Sequence, residues 1–405
     1  MGEPLIVIGN GMAAARFVEE LTNRALGRYS IAVIGDEPRL AYNRVLLSSV
    51  LAKEMAGEDT ELKPPQWWRD RGVTLLYGQR ATAIDTDIHR VRLASGATLP
   101  YATLVLATGS RPIRLPAPGM DLPGVLTFRD FADISAIEAA AEGGRRAVVI
   151  GGGLLGLEAA YGLAKAGAEV AVIHLMDRLM ERQLDARAAG LLKQAVEAKG
   201  IAVHLEAETE AVAGSGRVEG VRLRDGRVLP ADLVVVAAGI RANTDLARTA
   251  SLDVNRGIVV DDALMTGRAG IHAIGECAEH RGICYGLVEP AYEQARVLAA
   301  HLAGDTMAAY AGNVLATNLK VSGVNVFSAG DFLGGPGTEA ITLSDPGLGA
   351  YKKLVIANGR LTGAVLFGDT VDGLWYLDLI RSGEPISAIR NDLMFGRAFA
   401  LPRAA

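Results

Sequence analysis

Two glycine turns, 142 residues apart, carry the first chemistry that this sequence offers. Gly9, Gly11 and Ala14 follow the apolar run Leu5 to Ile8, and Gly151, Gly153 and Gly156 follow Ala147 to Ile150. In each set the first glycine permits a tight turn and the second lets the backbone approach a pyrophosphate. The third small residue lets a helix pack closely on its strand. Amides at the helix N-terminus then face negative charge. One such turn is also compatible with an ordinary strand-to-helix connection, whereas two in the same context predict two nucleotide sites.

The turns work only if strands hold them, and the neighbouring runs supply those strands. Ile31 to Ile34 is the second strand of the first unit and ends at Asp36 and Glu37. The Glu37 carboxylate stands where it would accept hydrogen bonds from both ribose hydroxyls; the alternative is a solvated loop acid. Val170 to Ile173 is the matching strand of the second unit, and it ends at His174 with no acid. The duplication extends further: VRLASGATLPYATLVLATGSR from Val91 and VRLRDGRVLPADLVVVAAGIR from Val221 align without a gap at an offset of 130. Each reads as a hairpin turning at SG or DG, then a buried strand ending at a glycine, Gly109 or Gly239, near its nucleotide. The first half therefore holds 12 extra residues between its glycine turn and its hairpin, around RLAYNRVLLSSVLAKEM. The expected fold class is α/β, with two Rossmann-like dinucleotide-binding domains and a small C-terminal α/β domain.

Composition narrows the partners. Half of the 405 residues are hydrophobic, enough for about two or three domains with large cores. The 41 basic and 46 acidic residues leave a net charge of −5, without a long run of either sign that would track a nucleic acid or an anionic membrane. Two cysteines, Cys277 and Cys284, are too few for a secreted disulfide framework. The N-terminus begins with a strand and a glycine turn rather than a leader, so the cytoplasm is the expected compartment. No apolar run approaches the roughly 20 residues that a bilayer requires.

With these residues stand GNGMAAARF, EPRLAYNRVLLSS, ATGSRP, GGGLLGLEAA, MERQLD, AAGIRAN, IHAIGECAEH and YGLVEPAYEQAR. The chain thereby resembles the two-dinucleotide-binding flavoprotein reductases of the ferredoxin and rubredoxin reductase group. In particular it is similar to the N-terminal flavoprotein portion of the large subunit of NAD(P)H-dependent nitrite reductase. The resemblance runs over nearly the whole chain. It implies FAD bound by residues 1–112 and 243–313, NAD(P)H bound by 113–242, and an interface domain over 314–405 that completes the flavin site and a homodimer or partner surface. Carried over residue by residue, Gly9, Gly11, Ala14 and Glu37 hold the FAD pyrophosphate and adenosine ribose. Tyr42, Arg44, Leu47 and Ser48 lie beside flavin and pyrophosphate, and Thr108, Gly109 and Arg111 close the loop that leaves the first domain. Gly275 and Glu276 take the ribitol, with glutamate where aspartate is usual. Glu289 and Pro290 open a helix whose positive end favours negative charge on the reduced flavin. Gly151, Gly153, Gly156 and Gly239 line the NAD(P)H site.

Many relatives carry a lysine directly after the serine matching Ser48, paired with the glutamate matching Glu158, but here that position is Ser49. Lys53 lies four residues on, one turn if the segment is helical, which makes Lys53 and Glu158 the candidate catalytic pair. The alternative is a solvated lysine. Neither half has a CxxC or CxxxxC spacing, which argues against thiol chemistry. Cys277, His280 and Cys284 fall one short of the four ligands of a structural zinc, so no metal is expected.

The implied reaction is hydride transfer from NADH to FAD, followed by single electrons to a separate iron-sulfur or other iron-containing protein. A ferredoxin, a rubredoxin, or a nitrite or nitrate reductase subunit would serve. NADPH stays open, because His174 with Arg178 and Arg182 is neither the acid that suits one coenzyme nor the arginine cluster that suits the other. An oxidase without a protein acceptor and a non-catalytic nucleotide-sensing subunit are the alternatives. Beyond Val314, NVLATNLKVSGVNVFSA and KKLVIANGRLTGAVLFG read as strands and VDGLWYLDLIRSG as a helix. Trp375 and Tyr376 there suit a core or dimer contact, or packing on flavin or partner.

Overall fold

Short apolar runs that alternate with glycine-started helices build two parallel sheets, as strand-helix-strand units must. The protein is described by a computed structural model covering residues 2–141, 145–321 and 323–400; the last five residues of the expected interface segment lie outside it. It divides into two units, one drawn from residues 1–50, 54–113 and 240–313, the other from 51–53, 114–239 and 314–405.

In the first unit the strand Glu3–Ile8 lies between Tyr29–Gly35 and Thr103–Leu106, with Thr74–Tyr77 and Ile271–Ala273 at the edges, all parallel. Leu5, Val7, Leu104, Val105 and Leu106 are wholly buried, as expected of a sheet covered on both faces. The helix Met12–Arg24 buries Ala14, Ala15, Phe17, Val18 and Leu21, an apolar stripe at helical spacing. It packs beside the helix Val288–Ala303, and the two run in the same direction. Near their starts Ala13 faces Gly275 and the Arg16 guanidinium lies 5.8 Å from the Tyr292 ring. Near their ends the Tyr29 hydroxyl donates to the Leu302 carbonyl at 2.8 Å.

The second unit repeats the plan, with strands ordered Ala202–His204, Glu169–Ile173, Arg146–Ile150, Leu233–Val236 and Val125–Thr127, again parallel. The helix Leu154–Lys165 follows its glycine turn. The hairpins are copies in register as well as in sequence. Arg90 pairs with Pro100 and Val91 with Leu99; 130 residues on, Gly220 pairs with Pro230 and Val221 with Leu229. A bulge stands opposite Arg92 in one and Arg222 in the other.

The second unit also holds an antiparallel sheet ordered Ala316–Val321, Val324–Gly330, Arg360–Phe367, Ala350–Ala357 and Thr338–Asp345. The helix Gly373–Ser382 closes its core over Phe327, Leu354 and Leu366. Tyr376 belongs to that core: it is fully buried and its hydroxyl donates to the Leu393 carbonyl at 2.8 Å. Trp375 is partly buried against the same cluster. The expected fold class therefore holds. Among the described residues no helix is long and apolar enough to cross a membrane.

Candidate nucleotide-binding sites

Parallel pairing brings the carboxyl ends of the strands to one edge, so the first unit's loops converge there. Ile8 pairs with Ile34 and with Leu106, and Leu106 pairs with Ala273. The segments starting at Gly9, Asp36, Ala107 and Ile274 therefore emerge together. Gly9 has φ +119°, and a Cβ there would lie 2.0 Å from the Ala107 carbonyl oxygen, so only glycine fits. Gly11 starts the helix Met12–Arg24 with no side-chain cap and no acid in the first turn, and a Cβ on it would meet nothing within 4 Å. The first amides are thus left to an outside anion, on an approachable backbone. Ala14 is wholly buried, as close helix packing requires.

Glu37, two residues past Gly35, carries a carboxylate that accepts the Tyr42 hydroxyl at 2.7 Å and pairs with Arg44. Ser48 sits at the start of the short helix Leu47–Leu51, its hydroxyl 3.4 Å from the Val45 carbonyl. Across the sheet edge, the Thr108 hydroxyl donates to the Asn243 carbonyl at 2.7 Å while the Asn243 amide donates to the Thr108 carbonyl at 2.9 Å. Arg111 pairs with Asp245 at 2.6 Å. Gly275 has φ +79° and donates its N–H to Oε1 of the fully buried Gln294 at 2.7 Å. The neighbouring Glu276 accepts the Ser110 hydroxyl at 2.8 Å, and Gly109 lies beside that carboxylate. The helix Val288–Ala303 starts at Leu287 without a side-chain cap, with Glu289 and Pro290 in its first turn. Its positive end and that of Met12–Arg24 open on the same side.

The residues fit a dinucleotide: two uncapped helix starts for phosphate and ring, a carboxylate at each end for sugar hydroxyls, and glycines where a Cβ would block approach. Sequence reasoning named the glycines and acids but missed Ser110, Asn243 and Gln294. Each stood in a quoted stretch, Ser110 in ATGSRP, Asn243 in AAGIRAN and Gln294 in YGLVEPAYEQAR, but their contacts reach residues 166, 135 and 19 positions away.

The second unit repeats the glycine turn. Gly151 has φ +126°, and a Cβ would lie 2.3 Å from the Ala237 oxygen; a Cβ on Gly156 would lie 1.9 Å from the Gly151 oxygen. Gly153 starts its helix uncapped, without a first-turn acid, and a Cβ on it would meet nothing within 4 Å. Gly239, at φ +111°, follows Ala237 and Ala238 where Gly109 follows Ala107 and Thr108. What differs is the end of the second strand. His174 accepts the Gly152 N–H on Nδ1 at 3.1 Å and meets Glu181 through Nε2 at 3.1 Å. The strand register that matches Ile34 to Ile173 puts Met176 where the first unit has Glu37.

Two expectations meet the geometry differently. The helix Leu47–Leu51 ends before Lys53, which is exposed and has φ +57°. The continuous helical turn that would carry Lys53 back towards Glu158 does not form. Glu158 itself is 8% exposed on the helix Leu154–Lys165. Cys277 is fully buried, its thiol donating to the Leu106 and Ile274 carbonyls, and burial pushes its pKa up. That is the reverse of a reactive thiolate. Among the described residues no cluster of three or more metal-ligating side chains occurs.

Residues 3–340 match the family described as pyridine nucleotide-disulphide oxidoreductase. The chain belongs to that family. Membership makes it an FAD-dependent NAD(P)H oxidoreductase, and residues 316–384 match the C-terminal domain of rubredoxin NAD+ reductase. The NAD(P)H nitrite reductase of Bacillus subtilis (strain 168) is 47% identical over 383 residues, covering 95% of this chain and 48% of that protein. The assimilatory nitrate reductase electron transfer subunit of the same organism is 41% identical over 390 residues, covering 96% of this chain and 51% of that protein. The chain thus spans about half the length of these relatives. Among solved structures, the reductase in a covalent putidaredoxin reductase-putidaredoxin complex matches with a TM-score of 0.86 at 26% identity, over 98% of this chain and 96% of that one.

Proposed function

We propose that this chain takes hydride from NAD(P)H onto FAD and passes single electrons to an iron-containing acceptor protein. FAD belongs to residues 1–112 and 243–313, NAD(P)H to 113–242, and 314–405 to a partner or dimer interface. One observation carries the reading: both glycine turns forbid a side chain and leave uncapped amides, yet the sugar-facing carboxylate recurs in the first half alone. The first turn, with Glu37, Gly275 and Glu276, suits a nucleotide held throughout turnover. The second suits one that comes and goes.

When bound, the flavin supplies a ring that accepts hydride and returns electrons singly. The chain's own part is placement and protection. Gly9, Gly11, Ala14, Arg44 and Ser48 take the pyrophosphate side, Thr108, Gly109 and Arg111 fix the outgoing loop, and Glu276 holds the ribitol, steadied by Ser110. The N-terminus of Val288–Ala303 faces the ring end. For the coenzyme, Gly151, Gly153, Gly156 and Gly239 shape the cradle, and Glu158, kept from water, borders it. NADH is the favoured coenzyme: His174 is already engaged on both ring nitrogens, Leu175 and Met176 beside it are exposed apolar residues, and Arg178 is tied to Asp177 at 2.9 Å. A 2′-phosphate finds no arginine cluster there.

The relatives named for nitrite and nitrate reduction, and the solved complex with putidaredoxin, support an iron-containing acceptor. A cytoplasmic setting agrees with two unpaired cysteines. The test is the anaerobic visible spectrum of the purified protein before and after one equivalent of NADH or of NADPH. Flavin bands that bleach within seconds with NADH and slowly with NADPH support the reading. A protein that cannot be loaded with FAD, or loaded flavin that neither coenzyme bleaches, overturns it.

A further inference from the structure

The ribose acid of the first half does not stand alone. Glu37 accepts the Tyr42 hydroxyl at 2.7 Å and pairs with Arg44, whose guanidinium lies 4.9 Å from the centre of the Tyr42 ring. Tyr42 is 4% exposed, while the Glu37 side chain keeps 34% of its surface open. The backbone around Tyr42 is pinned on both sides: Tyr42 bridges to Glu61, Asn43 donates to the Thr60 carbonyl at 2.8 Å, and Leu62 donates to the Ala41 carbonyl at 2.9 Å. The same stretch is tied to the glycine turn, since the Asn10 amide donates to the Arg39 carbonyl at 3.1 Å.

A carboxylate has about four lone-pair positions. Tyr42 and Arg44 use one on each oxygen, Tyr42 on Oε2 and Arg44 on Oε1, leaving as many positions as two ribose hydroxyls need. An acid on a loop loses rotamer freedom when it binds sugar, and one already held loses less. Taking this half as the FAD site, we propose that Tyr42 is a positioning residue for the adenosine end of FAD. It acts through Glu37, holding the carboxylate so that both oxygens present a free lone pair to the ribose. The second half needs no counterpart, because Met176 stands where Glu37 would.

The experiment is a double-mutant cycle on FAD affinity. Deflavinated protein is titrated with FAD by fluorescence quenching for the wild type, Tyr42→Phe, Glu37→Ala and the double variant, with a thermal melt of each. Phenylalanine keeps the buried ring and removes the hydroxyl alone. Tyr42→Phe is expected to weaken FAD binding about tenfold, the scale of one hydrogen bond to a charged group, and to add nothing in the Glu37→Ala background. Equal affinity of wild type and Tyr42→Phe overturns the role of Tyr42 while leaving the FAD site in place. So does a tenfold loss that persists without Glu37, since that is a loosened segment and not a positioned carboxylate. A wild type that takes up no FAD overturns the reading of this half, and the inference with it.

Discussion

The two glycine turns are nearly superimposable in their constraints and different in what surrounds them. Gly9 and Gly151 share a left-handed φ, at +119° and +126°, and the same carbonyl in the way of a Cβ, that of Ala107 or Ala237. Gly11 and Gly153 leave equally open helix starts. The phosphate cradle is therefore common property, fixed by backbone sterics that admit one solution. The sugar end is not: one half has Glu37 gripped by Tyr42 and Arg44, the other His174 turned inward to Gly152 and Glu181. The sheet edge also differs, since Ser110 reaches Glu276 while its counterpart 130 residues on is Ile240. Duplication copied the glycine turn, and the side chains beyond the second strand of each half then diverged.

The strongest way to break this comparison is to fill the turns. Gly9→Val and Gly151→Val each meet a carbonyl oxygen and a forbidden φ, so each should lose roughly 3 kcal/mol or more in urea unfolding. Gly9→Val should also purify colourless, whereas Gly151→Val should retain FAD that NADH no longer bleaches; identical flavin content in both would dissolve the distinction. Next in size, Glu37→Ala should weaken FAD about a hundredfold by equilibrium titration, on the order of two hydrogen bonds to a charge. Met176→Ala, its positional counterpart, should leave FAD affinity unchanged.

Acid should stress the first unit more than the second. His272 lies in the strand Ile271–Ala273, 3% exposed; burial, with His301 nearby, lowers its pKa from 6.5 to about 4. The unfolded chain then binds a proton that the folded chain refuses, so stability held above pH 6.5 is lost as pH falls towards 4, on the order of 2 kcal/mol. Unfolding midpoints measured at pH 7 and 4.5 should converge in His272→Gln, and a wild type with a flat profile would contradict this. A smaller effect is expected of Ser110→Ala, which removes one hydrogen bond from Glu276 and should weaken FAD roughly fivefold, visible as faster flavin release on dilution. Smallest of all is Lys53→Met: stopped-flow bleaching by NADH should proceed at the wild-type rate, because Lys53 is exposed and stands past the end of the helix Leu47–Leu51.

Much of the first site was legible because its demands are local. A turn that needs φ above zero and no Cβ writes itself as glycine, and a hairpin register set by SG or DG copies with its sequence, as Gly96 and Gly226 do at φ +87° and +91°. Lys53 shows the limit of local counting. Four residues make a turn of helix only where a helix continues, and this one stops at Leu51. The contacts across the sheet edge were illegible for a different reason: Ser110 and Glu276 are 166 residues apart, and Thr108 and Asn243 135.

By itself, then, the sequence determined the duplicated α/β plan, both glycine turns and the family, because close backbone approach leaves small residues no substitutes. Only the tertiary structure decided that Ser110 steadies Glu276, that Asn243 meets Thr108, and that His174 is already engaged. Those depend on which strand ends meet at a sheet edge, and hydrogen bonds between residues far apart in the chain leave no periodic trace along it.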